Sequence, residues 1–101
     1  MTVLRRSAAT LGENRDRPRV YLQGRWLARA GFTTGESIQA EYDNGTLTLS
    51  LDDAGNRTVS GKSRPGTSIP VIDINNAQLC QALGDVGTTL QVVTRQGTIT
   101  I

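Results

Sequence analysis

One stretch of this chain matches another at a fixed offset. Slid by 52 positions, residues 18–49 fall on residues 70–101 without a gap. Pro18 lands on Pro70, Leu27 on Leu79, Ala30 on Ala82, Gly35 on Gly87 and Gln39 on Gln91. Gly45-Thr46 lands on Gly97-Thr98. Apolar positions exchange conservatively: Val20 for Ile72, Leu22 for Ile74, Ile38 for Leu90 and Leu47 for Ile99. A period this long marks a repeated supersecondary unit that cannot bury its apolar face alone. At 101 residues the chain has the size of one domain. The expectation is therefore two matching halves around one core.

Four parts follow from this alignment. Residues 1–17 read as a flexible basic arm carrying Arg5, Arg6, Arg15 and Arg17, with too few apolar residues for a core. A short helix across residues 3–11 is the alternative. Repeat one spans residues 18–51. Val20 and Leu22 alternate with Tyr21 as in a strand, and a helix of two turns at most follows, stopped by Gly31 as a left-handed C-cap. Ile38, Ala40 and Tyr42 then alternate along a half-buried strand. Asn44-Gly45 turns the chain, and Leu47, Leu49 and Leu51 return it. Residues 52–68 read as a linker, mostly loop, with a short strand at Arg57-Thr58-Val59. Repeat two spans residues 69–101, with Asn75 or Asn76 as N-cap of its helix and Gln96-Gly97 as its turn. The fold expected is mainly β with two short helices. Tandem β-α-β-β units in residues 18–101 would close a small barrel with pseudo-twofold symmetry, each chain completing its own.

Composition excludes several chemistries. The chain has no His and one Cys, Cys80. That removes Ser-His-Asp and Cys-His catalysis, a structural zinc site and any intrachain disulfide, and it suits a reducing cytoplasm. Cys80 reads as a small apolar filler. No stretch approaches the apolar length of a membrane span, and residues 1–17 lack the apolar centre of a signal peptide. The formal net charge is only +2, yet Lys62 is the sole Lys among eleven basic residues. Arginine's planar fork suits phosphate and carboxylate; a GC-rich genome produces the same bias.

The stretch from Pro18 to Leu49 carries Gly24, Trp26, Leu27, Ala30, Gly31, Phe32 and Gly35 between a strand and a hairpin. This pattern resembles the SymE-like toxin domain. That group is similar to the AbrB/MazE swapped-hairpin fold, in which two half-units interlock into one DNA-binding barrel. Repeat two departs from it, with Gln78 at the place of Trp26 and Gly84 at that of Phe32. The segment GNRTVSGK and the later PVIDIN also resemble a region associated with phage DNA cytosine methyltransferases.

Matched positions differ most in charge. Arg19, Arg25 and Arg29 stand where repeat two has Val71, Ala77 and Gln81. With Arg57, Lys62 and Arg64 of the linker they form a candidate phosphate-tracking surface. The plainer reading is a solvated helix face whose arginines pair with carboxylates. Trp26 is either a base-stacking ring or a core anchor. The family resemblance implies nucleic-acid binding, DNA ahead of RNA, in a bacterial or phage regulatory or toxin-like role. A second reading is a phage-encoded inhibitor or accessory factor gripping a host protein. A third is an RNA-cleaving toxin. Nuclease chemistry draws no support from the residues: the nine acids show no convergent metal-binding spacing, and no His is present for metal-free cleavage. A non-enzymatic protein without metal or cofactor is expected.

Overall fold

The computed structural model describes residues 3–43, 45–64, 67–75 and 77–101, without the side chains of residues 64 and 67. The chain order is β1 (Val3–Thr10), β2 (Gly12–Asn14), β3 (Arg17–Gln23), α1 (Arg25–Arg29), β4 (Ser37–Asp43) and β5 (Thr46–Leu51), then β6 (Arg57–Thr58), β7 (Ser60–Arg64), β8 (Thr67–Asn75), α2 (Gln78–Leu83), β9 (Thr89–Arg95) and β10 (Thr98–Thr100). The β-α-β-β order of residues 17–51 recurs over residues 67–100, so the chain is mainly β with two short helices.

Equivalent strands of the two halves pair with each other. β3 lies antiparallel to β8 with Tyr21 opposite Asp73. β5 lies antiparallel to β10 with Thr48 opposite Thr100. Both of these facing pairs are separated by the 52-residue offset, the register that a twofold relation between the halves requires. The strands do not close into the barrel expected. They form a six-stranded sheet, β1-β9-β10-β5-β4-β6, and a four-stranded sheet, β2-β3-β8-β7.

Strand alternation builds one core. Val20, Leu22, Ile72 and Ile74 come from the four-stranded sheet; Ile38, Ala40, Leu47, Leu49, Leu90, Val92 and Ile99 come from the other. Leu27 of α1 and Leu79 of α2 are wholly buried between them. The two-residue turns fall where expected, with Asp43 facing Thr46 and Arg95 facing Thr98. Asn44, the first residue of the leading turn, lies outside the described residues. Helix α1 ends in a Schellman motif: Phe32 N donates to Leu27 O (2.8 Å) and Gly31 N to Ala28 O (3.0 Å). Gly31 takes φ +96° there, and Phe32 is delivered to the core with no exposed surface. Gly84, at the place of Phe32, closes α2 by one bond to Cys80 O (3.0 Å).

Other expectations change in detail. Residues 1–17 do not stand apart as an arm, and no helix crosses residues 3–11. β1 pairs with β9 over Val3–Thr10, and β2 pairs with β3. Leu11 between them is fully buried. In the linker, the short strand expected at Arg57-Thr58-Val59 is present as β6, paired to β4, but the segment read as loop also forms β7, paired to β8. Leu11 and Val59 play the same part in the two halves. Leu11 N donates to Thr88 O and its carbonyl accepts from Gly87 N; Val59 N donates to Glu36 O and its carbonyl accepts from Gly35 N. Each is a buried corner where the chain passes from one sheet to the other. The N-cap expectation also changes. Asn75 instead donates to the carbonyls of Asn14, Arg17 and Pro18, α2 has no side-chain cap, and Asn76 lies outside the described residues. Cys80 is partly buried on α2.

Leu11→Ala tests whether the first strands belong to the folding unit. Loss of a fully buried leucine should cost about 2–5 kcal/mol, measured by urea unfolding. A change within about 0.5 kcal/mol, the level of a surface substitution, would return residues 1–17 to the status of an arm.

Candidate nucleic-acid interface

Helix α1 is five residues long and is fixed at both ends by glycines. Before it, Gly24 has φ +144°, and Trp26 folds back onto it. A Cβ at position 24 would lie 2.6 Å from Cδ1 of Trp26. The indole Nε1 of Trp26 donates to the Gln23 carbonyl at 3.0 Å. The ring is half-buried against the core, and Arg5 lies over it at 4.7 Å from the centroid. Trp26 is therefore a core anchor with one cation-covered face. Leu27 points inward, while Arg25 and Arg29, one turn apart, are exposed.

These two arginines border a cleft of about 490 Å³. Its remaining wall is Ala28, Thr33, Thr34, Ser68 and Pro70. The hydroxyls of Thr34 and Ser68 are 3.3 Å apart. Among the described residues neither Arg25 nor Arg29 forms an ion pair with a carboxylate; both are exposed, as on a solvated helix face. Two guanidinium groups beside hydroxyl donors form a surface suited to a phosphodiester.

The other expected cations are placed elsewhere. Arg19 is neutralised by Asp73 through two hydrogen bonds, Nε to Oδ1 at 2.9 Å and a second nitrogen to Oδ2 at 2.8 Å, and it lies over the Tyr21 ring. The bonded carboxylate raises the Arg19 pKa above its ordinary value. Arg57 is half-buried in the other sheet and donates to the Tyr42 hydroxyl at 3.2 Å. Lys62 sits one position beyond Gly61, which faces Thr34 and Ser68. Alternation along β7 turns Lys62 to the opposite face of the sheet. Arg64 is in β7, and its side chain lies outside the described residues. Of the six expected cations, the described side chains bring Arg25 and Arg29 together and set Arg19, Arg57 and Lys62 apart from them, while Arg5 lies beside Arg29.

Residues 5–51 match the family described as Toxin SymE, type I toxin-antitoxin system. That segment is SymE-like. Its match begins in β1, ahead of the Pro18 start expected from the motif, in keeping with the place of Leu11 in the core. The SymE-like segment holds Gly24, Trp26, Leu27, Ala30, Gly31, Phe32 and Gly35, and with them Arg25, Arg29, Thr33 and Thr34 of the cleft. Ser68 and Pro70 come from outside it. No curated protein and no solved structure matches the chain. Among the described residues no group of three His, Cys, Asp or Glu side chains is placed to hold a metal ion, and no helix is long and apolar enough to cross a membrane.

Gly24→Ala tests the dependence of this surface on the helix entry. Alanine there meets both an unfavourable φ and the indole, a cost of about 1–3 kcal/mol. The expected result is a lower melting temperature together with a shifted Trp26 emission. Unchanged values of both would mean that the glycine is dispensable.

Proposed function

We propose that this chain is a non-enzymatic nucleic-acid-binding module with a regulatory or toxin-like role, DNA being favoured over RNA. The observation that carries the proposal is the Arg25–Arg29 cleft. Two exposed guanidinium groups without carboxylate partners share it with the hydroxyls of Thr33, Thr34 and Ser68. Phosphate contacts of this kind give affinity and orientation without sequence information. The modest net charge fits a small footprint, with Arg19 already committed to Asp73. The SymE-like segment supports a toxin-antitoxin setting, and the resemblance to swapped-hairpin DNA binders supports DNA. Both halves find their partner strands within one chain, which favours a monomer, and the single cysteine suits a cytoplasmic setting.

Titration of a labelled DNA at several salt concentrations tests the reading. Affinity should fall steeply with salt, and Arg25→Gln with Arg29→Gln should flatten the slope of log K against log[salt] by about two on duplex DNA. Arg19→Gln should leave that slope nearly unchanged. Absence of binding at low salt, with one defined protein recovered on the chain after nuclease treatment, would replace this reading with that of a protein-binding inhibitor.

A further inference from the structure

The 52-residue offset relates two crevices as well as two halves. One lies between α1 and strands β1 and β9 at the end of the large sheet, with a volume of about 320 Å³, lined by Leu4, Arg5, Trp26, Arg29 and Thr94. The other lies between α2 and β4, about 310 Å³, lined by Tyr42, Asp43, Gln78, Gln81 and Ala82. Trp26 corresponds to Gln78, Arg29 to Gln81 and Thr94 to Tyr42. Each crevice joins the helix of one half to a hairpin strand of the other. The second carries a tyrosine whose hydroxyl accepts from Arg57. At the first, the shorter Thr94 stands in its place.

Thr94 is 1% exposed, the one buried polar residue among those described. Its Oγ1 has no hydrogen-bond partner among the described residues. A buried hydroxyl left unpaired is costly and calls for an explanation. The strand opposite supplies a second sign of construction. β1 bulges between Val3 and Arg5, where Arg5 faces Thr94 and Leu4 is the extra residue. Bulges re-aim side chains, and this one brings Leu4 and Arg5 to the crevice over the Trp26 ring. Arg29 borders both this crevice and the Arg25 cleft.

We propose that the crevice of Arg5, Trp26 and Thr94 holds one unpaired base of a nucleic-acid strand whose phosphates run through the Arg25–Arg29 cleft. The proposal rests on the nucleic-acid reading given above. The crevice volume lies within the roughly 300–1,000 Å³ of small-ligand sites. A base stacks on the Arg5 guanidinium or takes its place on the indole, as bases do on arginine and aromatic side chains. The Thr94 hydroxyl both donates and accepts, so it meets any base edge and selects none. A base held in a duplex by its partner cannot turn into this crevice, so single strands bind in preference to duplexes.

Trp26 is the only Trp, so its emission reports the site directly. The experiment titrates the whole chain with a short oligodeoxythymidine, with the matching oligouridine, and with the first strand annealed to its complement. Single strands should quench Trp26 and bind about tenfold or more tighter than the duplex, and the DNA and RNA arms then identify which strand chemistry is preferred. Thr94→Val keeps the side-chain shape and removes the hydroxyl. It should weaken single-strand binding about 2–10-fold, with duplex binding and the melting temperature not lowered. Arg5→Gln should also weaken the single strand selectively. Salt-dependent binding of duplex and single strand alike, without quenching, overturns this inference and leaves the nucleic-acid reading standing. Wild-type single-strand affinity in Thr94→Val overturns it too. Failure of every strand to bind at low salt overturns both.

Discussion

Neither half of this chain can complete a sheet alone. β3 finds its neighbour in β8, and β5 finds its neighbour in β10. These two antiparallel seams hold the apolar faces of both halves against one core. Each seam is also a register. A slip of one residue between β3 and β8 would turn either Val20 and Leu22 or Ile72 and Ile74 to solvent, and the helix that follows the slipped strand would lose its footing. The geometry of α1, with its arginines outward and Leu27 inward, is thus downstream of a pairing made across the halves.

Much of this arrangement is legible in the amino acids, and the reason differs by element. β4 and β9 show a clean period of two because one face is buried. Their hairpins follow from Gly45 and Gly97, which take φ +81° and +75°. Strands β1, β2 and β7 escape detection because they lie at or near sheet edges, held by backbone hydrogen bonds. Arg5, Arg6, Lys62 and Ser63 carry no alternating apolar signal there. Only Leu11 and Val59 mark those segments as structural, and one apolar residue in a polar stretch is a weak signal. The barrel expectation fails for a related reason. The repeat specifies which strands are equivalent, and the pattern does not reveal whether the sheets close.

The interface divides in the same way. Arg25 and Arg29 are adjacent by helical spacing, so sequence suffices to join them. Arg19 looks identical to them in sequence, and only the pairing of β3 with β8 brings Asp73 to neutralise it. Thr94 is invisible as a site residue because an isolated threonine in a strand suggests nothing. Its interest comes from burial and from a missing partner, both properties of the assembled sheet. The two halves have kept a common framework and diverged in the side chains around each crevice: arginine and tryptophan on one side, glutamine and tyrosine on the other.

The crevice and the cleft are both made of parts far apart along the chain. α1 supplies Trp26, Arg25 and Arg29, while Ser68, Pro70 and Thr94 arrive with the second half. A chain that has left the ribosome only as far as Leu51 holds the whole SymE-like segment and neither complete surface. Both surfaces therefore form only once the chain extends through Thr94, and not in the segment that carries the family likeness alone.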